Sequence, residues 1–271
     1  PSRKQAEKYF NEILGAISSF NDPDFILFQE VDLASARSYH RNQYEEIALR
    51  LGSYAGFFVP NYDVFFVPLP ILRPMGKVSS GLALFSSREP DAAEMHAFPG
   101  NYAWPKKLFM PDRCFISMAI DLNNGRHLHV INTHNSAFDD GSLRNEQLGI
   151  LFKHMETLYA RGDYVIAGGD WNINPPGFEA GYFASGDKGF NVPFETTVFD
   201  RYAHWHIVYD EAFPTNRDVS MPYSPGICNT TILDFYVCSP NISILGINTL
   251  YDGFQNTDHQ PVLIRFALGP P

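Results

Sequence analysis

The chain has 271 residues, with 20 Lys plus Arg against 30 Asp plus Glu and a formal net charge of −10. At 45% hydrophobic and 18% charged residues it can bury a large core, so disorder as the default state is excluded, and the acid excess disfavours a general polyanion binder. No stretch approaches the roughly 18 consecutive apolar residues of a membrane helix, and Cys114, Cys228 and Cys238 cannot all pair and show no CxxC spacing, so neither a disulfide framework nor a zinc knuckle is indicated.

The first expected element is a helix from Ser2, where Ser2 and Gln5 match a capping box and Ala6, Phe10, Ile13, Leu14 and Ile17 recur at helical spacing. Because the sequence opens inside an element, further residues are expected upstream of Pro1. Phe25 to Phe28 reads as a strand buried on both faces that ends in Gln29-Glu30. A second helix is expected from Ser38 through Glu45, Ile47 and Leu51, closed by Gly52. Strands follow at Ala55 to Val59, Val64 to Val67 and Leu82 to Phe85, with a proline-rich loop from Pro68 to Gly76 between them. Cys114 to Leu122 and Arg126 to Thr133 flank Asn123-Asn124-Gly125, a hairpin signal of the type I′ kind. Ser142 starts a helix that Gly162 ends before the strand Tyr164 to Ala167, and the last third offers strands at Ile232 to Cys238 and Val262 to Phe266. Hairpins mixed with strand–helix–strand units predict one α/β domain over residues 1–271, with two mixed β-sheets covered by helices.

Five polar clusters stand at or just beyond the ends of these strands: Gln29-Glu30, Asn132-Thr133-His134, Gly169-Asp170-Trp171-Asn172, Asp234, and Thr257-Asp258-His259. Strand ends are where sheet proteins build sites. The set lacks a nucleophilic serine elbow and any cysteine; its carboxylates, imidazoles and amide suit a hard cation and a phosphate. Glu30 offers the oxygen donor that Mg²⁺ or Mn²⁺ prefers. His134 and His259 are candidates to hydrogen-bond a phosphate oxygen, each held as imidazolium by a nearby carboxylate, and Asp234 is a candidate to orient an imidazole. Asp170 and Asn172, one residue apart, point the same way if extended, one to activate water and the other to hold a phosphoryl oxygen.

The ordered motifs Gln29-Glu30-Val31, Asn132-Thr133-His134, Gly169-Asp170-Trp171-Asn172, Leu233-Asp234-Phe235-Tyr236 and Asp258-His259-Gln260-Pro261-Val262 resemble the endonuclease/exonuclease/phosphatase superfamily from residue 24 to residue 264. The resemblance implies a four-layer α/β/β/α sandwich, two sheets face to face with helices on both outer faces, and a Mg²⁺-dependent (or Mn²⁺-dependent) phosphoesterase. By matching motif, Glu30 would be the principal metal ligand and Asp258 a further acidic contributor. Asp170 would position or deprotonate water, Asn172 would stabilise developing charge, Asp234 would orient His259, and His259 with His134 would contact the scissile phosphate. Relatives begin with a strand ending in an Asn that helps arrange the metal Glu, and that strand would lie upstream of Pro1; of a truncated sequence and an incomplete site, truncation is the expectation. Trp171 stands where Phe is commoner.

His134 resembles the deoxyribonuclease and sphingomyelinase branch, which implies a phosphodiesterase more than a phosphatase. The absence of a Tyr-Arg pair after Asn172 and of a Cys-Asp-Arg context at Asp234 ranks inositol phosphatase lower. The expected partner is a phosphoester substrate, whether small molecule, lipid headgroup or nucleic acid, met by a monomer that does not span a membrane; the net charge of −10 weakens a long nucleic-acid contact. Compartment is left open. The alternative from another class is a binding protein on the same scaffold that has lost turnover. Most of the 23 Phe, 14 Tyr and 3 Trp are assigned to packing, and Arg217 and the pair His204 and His206 are lesser candidates because no motif ties them to the rest.

Overall fold

A computed structural model describes residues 2–17, 20–68, 74–100, 104, 108, 110–137, 141–178 and 200–270. Ser2 and Gln5 exchange both capping-box bonds, Ser2 N to Gln5 Oε1 at 2.8 Å and Gln5 N to Ser2 Oγ at 3.4 Å, and α1 runs over Arg3–Ile17. Then come β1 (Phe25–Asp32), a 3₁₀ turn at Ala36–Ser38, α2 (Gln43–Leu51), β2 (Ala55–Val67), β3 (Gly76–Ser86), β4 (Ala92–Ala97), β5 (Cys114–Asp121), β6 (His127–His134), α3 (Ser142–Tyr159) and β7 (Tyr164–Asp170). The chain continues through β8 (His206–Val208), the two-residue strands β9 (Asn216–Arg217) and β10 (Thr230–Thr231), β11 (Asp234–Cys238), β12 (Ile242–Thr249) and β13 (Val262–Leu268).

Several boundaries differ from expectation for local reasons. The second helix begins at Gln43 instead of Ser38, because Tyr39 and His40 both sit at positive φ and the Asn42 side chain caps the Glu45 amide at 3.2 Å. The two aromatic strands of residues 55–67 are one strand, with register shifts between Pro60 and Tyr62 and between Val64 and Val67. The β5–β6 hairpin closes through three residues rather than a two-residue turn, with Asn123 and Gly125 at positive φ and Leu122 N bonded to Arg126 O at 3.1 Å. Strands β4, β8 and β12 had no clear alternation in sequence. Most of the proline-rich loop, residues 69–73, and residues 179–199 lie outside the described residues.

Apart from the two-residue pair β9–β10, the strands form two β-layers. One is a six-stranded mixed sheet, ordered β4–β5–β6–β7–β11–β8, whose single parallel pair is β6–β7. The other consists of the antiparallel sheet β1–β3–β2 and the antiparallel pair β12–β13. Between the layers, Leu82 and Leu84 of β3 pack on Ile116, Met118, Val130 and Ile166. On the outside, α1 and α2 cover β1 and β3 through Phe10, Ile17, Ile47 and Phe85, while α3 covers the six-stranded sheet through Leu148, Leu151, Phe152 and Met155 against Val165, Ala167 and Phe235. This is the four-layer sandwich expected. Each fully buried Leu, Ile or Phe in these layers contributes roughly 1.5–3 kcal/mol.

Candidate active site

The alternation of strand side chains decides which residues can meet. In β7, Val165 and Ala167 face α3, so Ile166, Gly168 and Asp170 face the opposing layer. In β6 the same face carries Val130, Asn132 and His134, and in β11 it carries Asp234, Tyr236 and Cys238. Register does the rest: His134 pairs with Asp170 across β6–β7, and Asp170 pairs with Asp234 across β7–β11. Three polar residues from distant segments therefore stand in one row where the apolar inter-sheet core ends. The tight β6–β7 approach requires Gly169, at φ +137, since a Cβ there would lie 2.1 Å from the Thr133 carbonyl oxygen. Trp171 anchors the strand end, stacked on Phe235 at 4.9 Å with its indole N–H donating to the Phe235 carbonyl at 2.9 Å.

Glu30 reaches the same rim from β1. The β1–β3 register shifts between Phe28 and Val31, and Glu30 adopts φ +55, so the bulge turns its side chain out of strand alternation. A clamp between the layers sits beside it: Gln29 Nε2 donates to Asn132 Oδ1 at 2.6 Å, and Asn132 Nδ2 donates to the carbonyls of Phe28 and Ala83, both at 2.9 Å. The Glu30 carboxylate pairs with Arg37 at 2.8 Å, and Arg37 also bonds Asp32 at 3.0 Å. Burial raises the Glu30 pKa, but Arg37, His134 and Arg113 together outweigh it and hold the carboxyl well below its ordinary range.

His259 arrives from the loop before β13. Its Nδ1 lies 2.8 Å from Asp234 Oδ2, and its Nε2 lies 3.8 Å from Asp170 Oδ2 and 2.8 Å from Asn216 Nδ2. Burial lowers its pKa, yet Asp234 and Asp170 win and push it well above 6.5. As placed, the Asn216 amide donates to Nε2, which requires the neutral ring; the imidazolium requires that amide turned over, with Oδ1 facing the ring. Asp170 Oδ1 accepts the Asn172 amide at 2.9 Å, and Oδ2 lies 3.4 Å from His134 Nε2. Burial raises the Asp170 pKa against the opposing effect of the two imidazoles. His134 was expected as an imidazolium. Burial and Arg113 instead bring its pKa down to about 4, so it is neutral at pH 7, and its buried Nδ1 has no hydrogen-bond partner.

Thus Asp170, His134, Asp234 and His259 come together, with Asn172 tied to them through Asp170 and through Nδ2 to the Asn135 carbonyl at 2.9 Å. Glu30 joins the field of His134. Asp258 stands on the His259 side, raising that imidazole, rather than among the charges that act on Glu30. Among the described residues no group of three or more His, Cys, Asp and Glu is set to hold a metal ion. A magnesium-type site of one carboxylate and several waters needs no such cage, and Glu30, a hard oxygen donor 55% exposed at the side chain, fits that pattern. Sequence reasoning passed over Arg37, Arg113 and the Asn216 contact, for which no motif gave a signal. The Arg217 guanidinium turns to the Asp218 and Met221 carbonyls, at 3.0 and 3.4 Å, while His204 pairs with Glu156 of α3 at 2.8 Å.

A sandwich with acids and imidazoles lined up at the rim between its sheets defines the class to which known proteins can be compared. A family model described as the Endonuclease/Exonuclease/phosphatase family matches residues 2–227, and the chain belongs to that family of phosphoester hydrolases. A search of curated proteins finds no match. Among solved structures, an endonuclease/exonuclease/phosphatase from Beutenbergia cavernae is 20% identical with a TM-score of 0.65, covering 96% of this chain and 66% of that one. TDP2 of D. rerio, complexed with single-strand DNA product, is 13% identical with a TM-score of 0.63 and coverages of 97% and 93%. A mannosyl-6-phosphatase of Bacteroides thetaiotaomicron is 12% identical with a TM-score of 0.60 and coverages of 97% and 92%. At these identities the likeness is one of fold. Among the described residues no helix is long and apolar enough to cross a membrane.

Proposed function

We propose that the chain is a divalent-metal-dependent phosphoesterase, acting on phosphodiesters in preference to monoesters, in which Asp170 takes the proton from the attacking water. The observation that carries this reading is the row Asp234–Asp170–His134 with His259 placed against it. Asp170 is the buried carboxylate of the row, and burial raises its pKa, which makes it a stronger base than an ordinary aspartate. As it does so, the water oxygen bonds to phosphorus and the bond to the leaving oxygen breaks on the opposite side.

Asp234 fixes the His259 ring through Nδ1, and the charge this stabilises faces the non-bridging oxygens. His134, neutral, has its Nε2 beside Asp170 and offers a hydrogen bond from that nitrogen in place of a charge. Asn172 uses one amide hydrogen on Asn135 and has a second for a phosphoryl oxygen. Glu30 would hold Mg²⁺ or Mn²⁺ with waters, and Asp258 would add negative potential from the His259 side. When bound, the ion supplies charge to stabilise the phosphoryl transition state. The diester preference follows from the His134 motif; the compared folds include both a protein bound to a DNA product and a sugar phosphatase.

Hydrolysis of bis-p-nitrophenyl phosphate and p-nitrophenyl phosphate with Mg²⁺ or Mn²⁺ tests the reading. Asp170→Ala is expected to slow the diester by about 10²–10⁴-fold; equal rates in both proteins would overturn the assignment.

A further inference from the structure

The face that a helix turns to a sheet is normally apolar. Near its start α3 departs from this, for Arg144 and Gln147 are buried there, 5% and 2% exposed. Buried polar groups are found with hydrogen-bond partners, and these two take theirs from the segments that follow His134 and Asp170. Gln147 Oε1 accepts the Ser136 amide at 2.9 Å, and its Nε2 donates to Ser136 Oγ at 2.8 Å. Arg144 Nη1 donates to the carbonyls of Ser136 at 3.0 Å, Ala137 at 3.4 Å and Asn172 at 3.1 Å. One nitrogen thus joins the two segments.

Asn172 stands at φ +52, a conformation that non-glycine residues rarely adopt. Its N–H donates to Asp170 Oδ1 at 2.9 Å, its side-chain Nδ2 donates to the Asn135 carbonyl at 2.9 Å, and its own carbonyl accepts from Arg144. The first two ties come from the ends of β7 and β6, which the sheet fixes. The third comes from α3 and holds the backbone on the other side of the same Cα, so the aim of the second Nδ2 hydrogen depends on all three. Because Arg144 also holds the carbonyls of Ser136 and Ala137, a side chain buried under α3 sets the spacing between Asn172 and the strand end that carries His134.

We propose that Arg144, supported by Gln147, is a positioning residue that aims the Asn172 amide at the phosphoryl oxygen, acting from α3 without touching substrate. Its effect on rate rests on the phosphoesterase reading, whereas its effect on the local order of Asn172 rests on geometry alone, and separate readouts test the two.

Rates on bis-p-nitrophenyl phosphate with Mg²⁺ or Mn²⁺ are compared for the parent, Arg144→Met, Asn172→Ala and the double variant. Arg144→Met is expected to lower kcat by about 10–100-fold with KM changed by less than about threefold, the cost of misplacing a group by about 1 Å. In the Asn172→Ala background the same substitution is expected to change kcat by less than about threefold, because a residue that acts through Asn172 has nothing left to aim. Equal factors in both backgrounds overturn the proposal. Arg144→Lys, which keeps a charged donor one bond short of the same place, is expected to recover part of the rate, and it replaces Arg144→Met in the cycle where that variant does not fold. Met155→Ala loosens α3 in the apolar core and is expected to lower the melting temperature while leaving kcat within about threefold of the parent. A fall as large as that of Arg144→Met would indicate general loosening and overturns the proposal as well.

Amide exchange supplies the readout that needs no turnover. The Asn172 N–H is expected to exchange tenfold or more faster in Arg144→Met, with Val165–Ala167 of β7 unchanged. Unchanged exchange at Asn172, or equal acceleration along β7, overturns the proposal even in a protein that hydrolyses the diester. A parent without hydrolysis in which the local acceleration is present removes the phosphoesterase reading and supports the placement of Asn172 by Arg144.

Discussion

In the six-stranded sheet, β7 is hydrogen-bonded on both sides, and its neighbours hold His134 and Asp234 in register with Asp170. In the opposing layer, β1 and β13 are each paired on one side among the described residues, and Glu30 and His259 are placed there by a bulge and by a loop. The contrast separates two ways of building a site. The half around Asp170 is set by backbone pairing that any change in register would destroy, whereas the half around Glu30 and His259 depends on side-chain ties: Arg37 to Glu30, Gln29 to Asn132, Asp234 to His259.

The sharpest way to break the register-built half is Gly169→Ala. The added Cβ meets the Thr133 carbonyl at 2.1 Å in a backbone conformation that disfavours it, so a loss of about 3 kcal/mol or more is expected in denaturant unfolding; a midpoint equal to the parent's would discard the register account. Next, Asp234→Asn removes the charge that holds His259 while keeping the shape, and a fall in kcat of roughly 10–100-fold is expected with the melting temperature little changed. An unaltered kcat would mean that His259 is oriented by other groups. Asn132→Ala cuts the clamp between the layers and strands the Phe28 and Ala83 carbonyls. It should lower stability by about 1–3 kcal/mol, read by thermal melting; no change would show that the layers are held by apolar packing alone.

The smallest effect concerns a region remote from both halves. Burial, with His96 second, lowers the His154 pKa to about 4, against 6.5 ordinarily. The unfolded chain therefore takes up this proton first as pH falls, so stability declines between pH 6.5 and 4, and His134 acts in the same direction. Allowing for its partial exposure, His154→Gln should flatten that decline by about 1 kcal/mol. Parallel stability–pH curves for the two proteins would remove His154 from the account.

Much of the site could be read from the sequence because its residues lie on strand ends, where period-two alternation and short motifs carry the information. Asp170, His134 and Asp234 were predicted individually, and pairing turned them into a row. What stayed hidden depended on contacts distant in sequence. Asn216 meets His259 through an isolated bridge across 43 positions, which no local pattern encodes. Arg113 acts on Glu30 and His134 through space. The neutral state of His134 is a property of its burial, which polarity alone could not foretell. The second helix begins at Gln43, five residues beyond Ser38, because the positive φ of Tyr39 and His40 has no signature in those residue types.

Arg37 links Glu30 and Asp32 in one group of two acids and one base. Under the proposed reading, an incoming cation would compete with a guanidinium already in place, and its affinity would measure an exchange rather than a capture from bulk water. The same guanidinium supplies the counter-charge of the buried Asp32, so that acid does not rely on an ion for neutralisation.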